Sequence, residues 1–287
     1  MNISEKRAPL PHWMKVPMPH GEEYSRVKNL VLHQKLNTIC VSGNCPNKGE
    51  CWSAGTATFM ILGDKCTRNC KFCQVHTMKP DAIDWNEPER LADTIKALNL
   101  RHIVLTSVAR DELPDGGAGF WAYTIRKVKE VNPDVTMEVL IPDFRRGNRI
   151  LDLILNEKPE VISHNIETVK RLTPEVRSMA RYEHSLELLS YVSQAGAIAK
   201  TGLMIGLGET EEEVVESMKD AIDAGVKVFT IGQYLQPSKE HYPVKKYIHP
   251  DVFKRLKEIG LKMGFKYVES GPQVRSSYHA ENHINAR

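Results

Sequence analysis

Residues 58–73 read Thr58-Phe-Met-Ile-Leu62-Gly-Asp-Lys-Cys66-Thr-Arg-Asn-Cys70-Lys-Phe-Cys73. The segment opens on an uninterrupted apolar and β-branched run and ends in three closely spaced cysteines. Such a run predicts a strand that is buried on both faces, as the strands of parallel sheets are. The cysteines would then lie at the carboxyl end of the first strand, where α/β proteins gather their functional residues.

The same apolar pattern recurs along the chain and alternates with amphipathic stretches of helical period. The predicted strands are Thr58–Leu62, His102–Ser107, Thr136–Ile141, Val161–Asn165, Ala199–Ile205 and Val228–Tyr234. The predicted helices are Glu87–Leu98, Phe120–Val131, Asn148–Asn156, Ser185–Gln194, Thr210–Ala224 and Asp251–Met263. Six β–α units indicate an α/β fold with a parallel barrel or partial barrel, and a doubly wound open sheet is the alternative.

Composition narrows the class of protein. The 287 residues are 41% hydrophobic and 26% charged, as in ordinary globular domains, and the net charge of +3 is too small to argue for a nucleic-acid partner. No apolar run reaches the roughly 18 residues of a membrane helix. Prolines and charges interrupt residues 1–26, so no secretory signal is predicted. We expect a cytoplasmic protein with no membrane or nucleic-acid partner.

The distribution of cysteines is the most informative feature. The six cysteines are Cys40, Cys45, Cys51, Cys66, Cys70 and Cys73. The 214 residues that follow Cys73 (287 minus 73) contain none. A disulfide framework is typical of small secreted chains rather than of large cytosolic ones. Cysteines crowded in this way therefore indicate metal or redox chemistry.

The second triplet, Cys66-x3-Cys70-x2-Cys73, suits a four-iron cluster. Such a cluster normally takes four thiolates, so three cysteines leave one iron free to bind a substrate or cofactor. Nearby cations would favour the thiolates and offset the negative charge of the cluster. The candidate cations are Lys65, Arg68 and Lys71.

The first triplet, Cys40-x4-Cys45-x5-Cys51, also supplies three thiolates, from a loop rich in Gly, Asn and Pro. The alternative for either triplet is a structural zinc ion, with His33 or His76 as the fourth ligand. The tight spacing of the second triplet argues against zinc there.

The second triplet, with Phe72 before its last cysteine, resembles the signature of the radical S-adenosylmethionine (SAM) superfamily. The resemblance implies that the amino and carboxylate groups of SAM chelate the open iron. Cleavage of SAM then gives methionine and a 5′-deoxyadenosyl radical, which abstracts hydrogen from an unactivated carbon. The expected fold is a partial parallel (β/α)6 TIM-like barrel, and Phe72 is expected to help bind the cofactor.

The first triplet resembles the auxiliary-cluster motif of lipoyl synthases, and Arg275-Ser276-Ser277-Tyr278 resembles the closing motif of that family. The resemblance extends from about Asn37 to Ala280. It implies that Ser277 is the fourth ligand of an auxiliary 4Fe–4S cluster, a weak one beside thiolate that would let an iron leave. Taken alone, the Arg275–Tyr278 segment also fits a solvated polar tail.

The family resemblance implies a reaction and its partners. Two sulfur atoms, taken from the auxiliary cluster, would be inserted at C6 and C8 of an octanoyl group on a carrier-protein lysine. The partners would be an octanoylated lipoyl-carrier protein or domain, a low-potential electron donor such as ferredoxin or flavodoxin, and an iron–sulfur carrier that rebuilds the cluster. Another radical SAM sulfur inserter and a zinc-bearing RNA-binding module are the alternatives.

Several polar residues follow predicted strands and are candidates for SAM binding. Thr106 is expected, from the resemblance, to meet the methionine part of SAM, although an ordinary turn is the alternative. Asn165 and Glu167 could hydrogen-bond ribose hydroxyls, as an acidic residue does in dinucleotide sites. A carboxylate favoured by a helix N-terminus is the alternative for Glu167.

Three further candidates are Arg177, Lys200 and Met204. Arg177 suits bidentate binding of the SAM carboxylate, and a surface helix arginine is the alternative. Lys200 and Met204 belong to a strand and glycine-rich turn, residues 200–209, that resemble the adenine-binding strand of the superfamily. Residues 233–238 match the same family and are expected to line the substrate channel.

We expect three parts along the chain. Residues 1–55 form an extension that carries auxiliary-cluster ligands, residues 56–264 form the radical SAM partial barrel, and residues 265–287 close on the auxiliary cluster. Residues 265–287 are predicted to contain a short strand and an irregular tail. Substrate access is expected between the two clusters, where the mouth of the barrel meets the N-terminal segment.

Overall fold

The structure, a computed structural model, describes residues 9–16, 21–53, 56–144, 147–177 and 179–286. The strands in chain order are β1 (Asn37–Thr38), β2 (Thr58–Ile61), β3 (Lys65–Cys66), β4 (His76–Thr77), β5 (His102–Ser107), β6 (Thr136–Leu140), β7 (Val161–Ser163), β8 (Ile198–Ile205), β9 (Val228–Gln233) and β10 (Tyr267–Gly271). All six predicted strands are present, with ends within two residues of the prediction.

Eight strands form one sheet in the order β1-β2-β5-β6-β7-β8-β9-β10. Every pairing from β2 to β10 is parallel, and only the edge pair β1–β2 is antiparallel. The order follows the chain, as in a barrel wall and unlike a doubly wound sheet, whose strand order reverses. The α/β fold with a parallel sheet is therefore confirmed. The short strands β3 and β4 pair with each other and carry the start of the second cysteine segment.

Helices connect the parallel strands. The α-helices are α1 (Glu22–His33), α2 (Ile39–Ser42), α3 (Lys48–Ser53), α4 (Glu87–Leu98), α5 (Ala118–Val131), α6 (Asp152–Leu155), α7 (Thr173–Val176), α8 (Tyr182–Gln194), α9 (Glu211–Asp223) and α10 (Pro250–Met263). The capping box predicted at Thr210 and Glu213 is present at the start of α9. Helix α10 begins one residue before Asp251, and the His249 side chain accepts a hydrogen bond from the Asp251 N–H.

The predicted helix Asn148–Asn156 is divided into a 3-10 turn, Asn148–Leu151, followed by the single-turn helix α6. The N-terminal segment contains more regular structure than the sequence predicted, because α1, α2 and α3 all lie in it. At the other end, strand β10 confirms the predicted short strand. It is followed by a 3-10 helix over Ala280–Asn285.

The core lies between the sheet and its helices. Strands β2, β5, β8 and β9 of the main sheet are almost wholly buried, as parallel strands with covered faces are. Inward-facing apolar residues of α4, α5, α8, α9 and α10 join the same core cluster. In the described ranges, no helix combines the length and apolar character needed to cross a bilayer.

Candidate active site

A cavity of about 320 Å³ lies at the carboxyl ends of the strands and contains the second cysteine triplet. It is lined by residues of β8 and β9 and by the loops that follow β2, β5, β6 and β7. The predicted residues that line it are Cys66, Cys70, Phe72, Cys73, Thr106, Asn165, Glu167, Arg177 and Met204. We call it the first cavity. Residues separated by up to 138 positions (204 minus 66) therefore meet in one place.

Asn165 and Glu167 present polar atoms to this cavity. The Asn165 Nδ2 donates to Glu167 Oε1 at 3.2 Å, while Asn165 Oδ1 is buried and has no hydrogen-bond partner within the described part of the chain. Glu167 has a left-handed backbone, with φ of 66°, which is uncommon for a residue with a side chain. Burial raises the pKa of Glu167, although Arg177 opposes this. An unpaired buried oxygen and strained backbone indicate a ligand site.

Hydrogen bonds to other parts of the protein fix the side chains of Arg177 and Thr106. Arg177 is 6% exposed, and its guanidinium donates to the Ile166 carbonyl at 3.0 Å and to Ser185 Oγ at 3.3 Å. It is therefore not a surface helix arginine. The Thr106 hydroxyl donates to the Leu140 carbonyl at 3.1 Å across the sheet. Both side chains are thus fixed before any ligand arrives.

A buried ion group also lines the first cavity. Arg68 donates to both oxygens of Asp111, at 2.8 and 2.6 Å, and its other terminal nitrogen pairs with Asp143. Arg68 is thus paired with two carboxylates, and its charge also lowers the pKa of Cys70, as expected of a nearby cation. Lys65 similarly pairs with Asp81 at 2.6 Å. The cation that most lowers the pKa of Cys70 is Arg177, although burial outweighs it and raises that pKa to about 11.

Lys200 is placed elsewhere, although we predicted it among the cofactor-binding residues. Its side chain is fully buried and does not line the first cavity. It donates to both oxygens of Glu138, at 2.8 and 2.7 Å. Lys200 and Met204 were assigned to one site because both belong to residues 200–209, but the two residues lie at different positions along strand β8. Met204 from the same segment does reach the cavity.

A second cavity, of about 330 Å³, contains the first cysteine triplet together with Ser277. Cys40 lies on α2, Cys51 on α3, and Cys45 on the loop between these helices. Ser277 comes from the C-terminal segment, more than 220 residues away in the sequence. The four predicted ligands of the auxiliary cluster therefore line one cavity. The two cavities adjoin, since Ile39, Arg275 and Ser276 line both.

All six cysteines are free, with Cys40 buried and the other five half-buried. Burial raises the pKa of Cys73 and of Cys51 to about 12 each, and it also raises that of Cys40. These thiols are therefore protonated at neutral pH until a metal displaces the proton, as metal binding to cysteine does. In the described ranges, no three His, Cys, Asp or Glu side chains are grouped tightly enough to hold a single metal ion.

The two histidines of the zinc alternative are both exposed, and neither lines a cavity that holds cysteines. The zinc alternative therefore has no support from the placement of His33 or His76. The donor set of each cavity, three thiols around a space larger than one ion, instead fits an iron–sulfur cluster.

A third cavity, of about 430 Å³, opens beside the first and shares Phe72, Cys73, Met204 and Arg275 with it. Most of its remaining wall is formed by residues 233–237 at the end of β9 and just after it, which were predicted to line the substrate channel, and by Gly43, Asn44 and Pro46 of the N-terminal segment. Leu10, Gln74 and Tyr247 complete the wall.

Arg275 was quoted in the closing motif but was given no separate role. Its side chain lines all three cavities and donates a hydrogen bond of 2.7 Å to the carbonyl of the preceding residue, Val274. Asp143 and His164, which also line the first cavity, were missed as well. His164 follows the end of β7 directly and Asp143 lies three residues beyond the end of β6, so the rule that functional residues gather at strand ends would have located them.

Comparison with known proteins defines the class first. A sequence model of the radical SAM superfamily matches residues 60–221, which is more than half of the chain. Among solved structures, methylornithine synthase superposes with a TM-score of 0.59 at 13% identity, covering 86% of this chain and 76% of that one. SuiB of Streptococcus suis bound to S-adenosylmethionine gives 0.61 at 11% identity, covering 78% and 54%. The protein is thus a radical SAM enzyme with the corresponding TIM-like fold.

Curated relatives then define the family. The mitochondrial lipoyl synthase of Nematostella vectensis is 54% identical over 99% of this chain and 98% of its own length. The lipoyl synthase of Flavobacterium johnsoniae is 54% identical over 96% of both chains, and that of Bacteroides fragilis is 53% identical over 98% of both. The chain belongs to the lipoyl synthase family.

Family membership settles the reaction. The enzyme inserts two sulfur atoms at C6 and C8 of a protein-bound octanoyl-lysine group, using SAM and two 4Fe–4S clusters, with the auxiliary cluster as the sulfur donor. The carrier is an octanoylated protein, and the reduction of SAM requires an electron donor. A different radical SAM sulfur inserter and a zinc-bearing RNA-binding module are both excluded.

Proposed function

We propose that the two cysteine cavities divide the reaction between them. The first cavity holds the SAM-binding cluster through Cys66, Cys70 and Cys73, and the second holds the auxiliary cluster through its three cysteines and Ser277. The observation that carries this proposal is the separation of the two donor sets into adjoining cavities with a shared wall. When bound, SAM with its cluster supplies hydrogen abstraction, and the auxiliary cluster supplies sulfur.

In the first cavity, the protein's own groups orient SAM. The unpaired Asn165 Oδ1 and the Glu167 carboxyl face the space where ribose hydroxyls could donate to them. Arg177 presents a fixed guanidinium that matches the carboxylate of SAM. Thr106 and Met204 form the adjacent wall, and Phe72 covers the cysteine loop. The apolar lining also excludes water, which protects reactive intermediates from side reactions.

In the second cavity, Ser277 is the oxygen ligand beside three sulfur ligands. A hydroxyl is a harder, weaker ligand for iron than a thiolate, so the iron that it holds is the one most easily released. The C-terminal segment that carries Ser277 is joined to the cysteine loops by hydrogen bonds. Asn47 Nδ2 donates to the Gln273 carbonyl at 2.7 Å, and the Tyr278 hydroxyl donates to Glu50 at 3.1 Å.

The third cavity supplies the route for the octanoyl-lysine arm. Apolar residues of its wall, Leu10, Phe72 and Leu235, suit an eight-carbon chain. The part of the wall that it shares with the first cavity leads toward the space between the clusters. This position agrees with the predicted access between the barrel mouth and the N-terminal segment. Arg275, which faces all three cavities, is placed to donate to the amide oxygen of the arm.

We assign the three predicted parts of the chain to these roles. Residues 1–55 and 265–287 supply the two halves of the auxiliary site, and residues 56–264 supply the SAM site. We also propose a ferredoxin or flavodoxin as electron donor, an iron–sulfur carrier that rebuilds the auxiliary cluster, and a cytoplasmic location. Six free thiols around cluster sites suit a reducing compartment.

The division of ligands is tested by counting iron in two triple variants. Replacement of Cys66, Cys70 and Cys73 by alanine should halve the iron and acid-labile sulfide of the anaerobically reconstituted protein. Replacement of Cys40, Cys45 and Cys51 should also halve both, and the remaining cluster should then respond spectroscopically to SAM. Full iron content in either variant, or a response to SAM in the first, would contradict the assignment.

A further inference from the structure

Three polar side chains form a closed group away from the cysteines. Lys200 Nζ donates to both Glu138 oxygens, at 2.8 and 2.7 Å, and lies 3.1 Å from Nδ1 of His283. All three side chains are 0% exposed. The ammonium group has no lone pair, so Nδ1 of His283 is the acceptor and the ring carries its proton on Nε2. A buried ion pair of this kind requires well-fixed partners.

This group lies on the face of the sheet that carries the cavities. Glu138 is the register partner of Val104, which lines the second cavity. Lys200 lies two and four residues before Gly202 and Met204, which line the first cavity. Paired residues of neighbouring strands, and residues two apart on one strand, project from the same face. The group therefore lies below the first cavity, toward the amino ends of the strands, and level with Val104 in the wall of the second.

His283 connects this group to the segment that carries Ser277. It belongs to the 3-10 helix Ala280–Asn285, and it lies six residues beyond Ser277. Ala286 packs with Val161, Ile198 and Val228 on the sheet. The tail is therefore anchored to the sheet by a polar contact and by an apolar one.

The other side of Ser277 is anchored as well. A Cβ on Gly232 of β9 would lie 2.2 Å from the Val274 carbonyl oxygen, so the backbone before Ser277 touches the backbone of the sheet. Ser277 therefore lies between two fixed points, Val274 and His283. A short segment held at both ends has little freedom to move its side chains.

We propose that the Glu138–Lys200–His283 group is a positioning device for sulfur donation, which holds the C-terminal segment so that Ser277 faces the auxiliary cysteines. This inference rests on the proposed role of Ser277. Lys200 is the centre of the device, Glu138 fixes its ammonium group, and His283 is the point at which the tail is attached. The three are positioning residues, because none of them lines either cysteine cavity.

The test compares His283→Phe with His283→Asn. Phenylalanine keeps a ring against Tyr267, which lies 5.7 Å from the His283 ring, but it removes the acceptor and leaves the Glu138–Lys200 pair intact. The Oδ1 of asparagine replaces Nδ1 as an acceptor. Tyr182→Phe is the matched control, since it removes a hydrogen bond of 2.9 Å to Asp220, on residues that line neither cysteine cavity.

The readout is the Mössbauer spectrum of the auxiliary cluster, together with the rate at which a chelator removes iron from it. We expect His283→Phe to change the Mössbauer signal of the oxygen-bound iron and to increase the rate of iron loss about tenfold. Residues that orient metal ligands affect metal sites on this scale. SAM cleavage should be unchanged, and His283→Asn should restore both properties. A spectrum and rate equal to those of the wild type and of Tyr182→Phe would overturn the proposal.

Ser277→Ala, measured in parallel, distinguishes failure of the positioning device from failure of the proposed role of Ser277 as a cluster ligand. If Ser277→Ala leaves the spectrum unchanged, the ligand assignment is wrong and the positioning device falls with it. If Ser277→Ala changes the spectrum while His283→Phe does not, only the positioning device is wrong. Should His283→Phe fail to fold, the paired change Glu138→Gln with Lys200→Met, which removes both charges together, provides the same comparison.

Discussion

The two cysteine cavities are built in different ways. The first is lined by strand ends from β2 to β9 and by buried ion pairs such as Arg68 with Asp111. The second is enclosed mainly by two segments that are distant in the sequence, one with the first cysteine triplet and one with Ser277, and by His102 and Val104 of β5. The two segments are joined by the hydrogen bonds Asn47–Gln273 and Tyr278–Glu50. A rigid sheet edge suits a cofactor that must be held in one geometry, whereas an interface between two segments can release and regain a cluster.

This contrast predicts its largest effect at Cys70. Cys70→Ala removes one of three thiolates from the rigid cavity, so SAM cleavage should fall at least about a hundredfold, since the loss of a mere outer contact already costs 10–100-fold. Production of 5′-deoxyadenosine under reducing conditions, measured by chromatography, checks this. Sulfur insertion should disappear as well. Activity above a tenth of the wild-type value would break the assignment of the first cavity.

Ser277 and Ser276 provide a matched pair in the second cavity. Ser277 lines only the second cavity, whereas Ser276 lies on the wall shared by both. Ser277→Ala should reduce sulfur insertion about 10–100-fold and leave SAM cleavage within about twofold, because the first cavity is untouched. Ser276→Ala serves as the control and should change sulfur insertion much less. Equal effects of the two substitutions would show that Ser277 has no special role.

Asn165 tests whether the first cavity binds SAM. Asn165→Ala removes the unpaired buried oxygen, so the affinity for SAM should fall about tenfold, equivalent to about 1.4 kcal/mol. Equilibrium binding of SAM to the reconstituted protein measures this. Thr168→Val is the control, because its buried hydroxyl oxygen also has no partner in the described part of the chain but lines neither cysteine cavity. A loss of affinity in both variants would point to general disruption.

The smallest effect is expected at Tyr278. Tyr278→Phe deletes the hydrogen bond between its hydroxyl and Glu50, a contact between the two chain ends that is open to solvent. Such a bond contributes at most about 1 kcal/mol, so sulfur insertion should fall about twofold or less and SAM binding should not change. Initial rates with an octanoyl-lysine peptide test this. A large loss would mean that the C-terminal segment is held chiefly at Tyr278.

Much of the barrel was predictable because its signals are local. Buried strands appear as continuous apolar runs, and a capping box within four residues predicts the helix that starts after Thr210. The cysteine sites were predictable from spacing and family resemblance. The N-terminal helix α1 was missed, since it buries only Val27 and Val31 and so lacks a broad apolar stripe.

The placement of Lys200 was not predictable from its strand. Its partners Glu138 and His283 lie 62 and 83 residues away, and only the folded sheet brings them together. The pairing of Arg68 with Asp111 and Asp143 is similarly long-range. Residue type and strand position show that a cation is present, but they do not show which carboxylate pairs with it.

The central claim, that the two cavities divide the work, is tested most directly by Cys45→Ala. The reconstituted variant is incubated anaerobically with reductant, SAM and an octanoyl-lysine peptide, beside the wild type, and the products are analysed by mass spectrometry. The account predicts that the wild type adds two sulfur atoms and forms 5′-deoxyadenosine. Cys45→Ala should form 5′-deoxyadenosine and leave the peptide without sulfur. Insertion of sulfur by Cys45→Ala at the wild-type level would contradict the account.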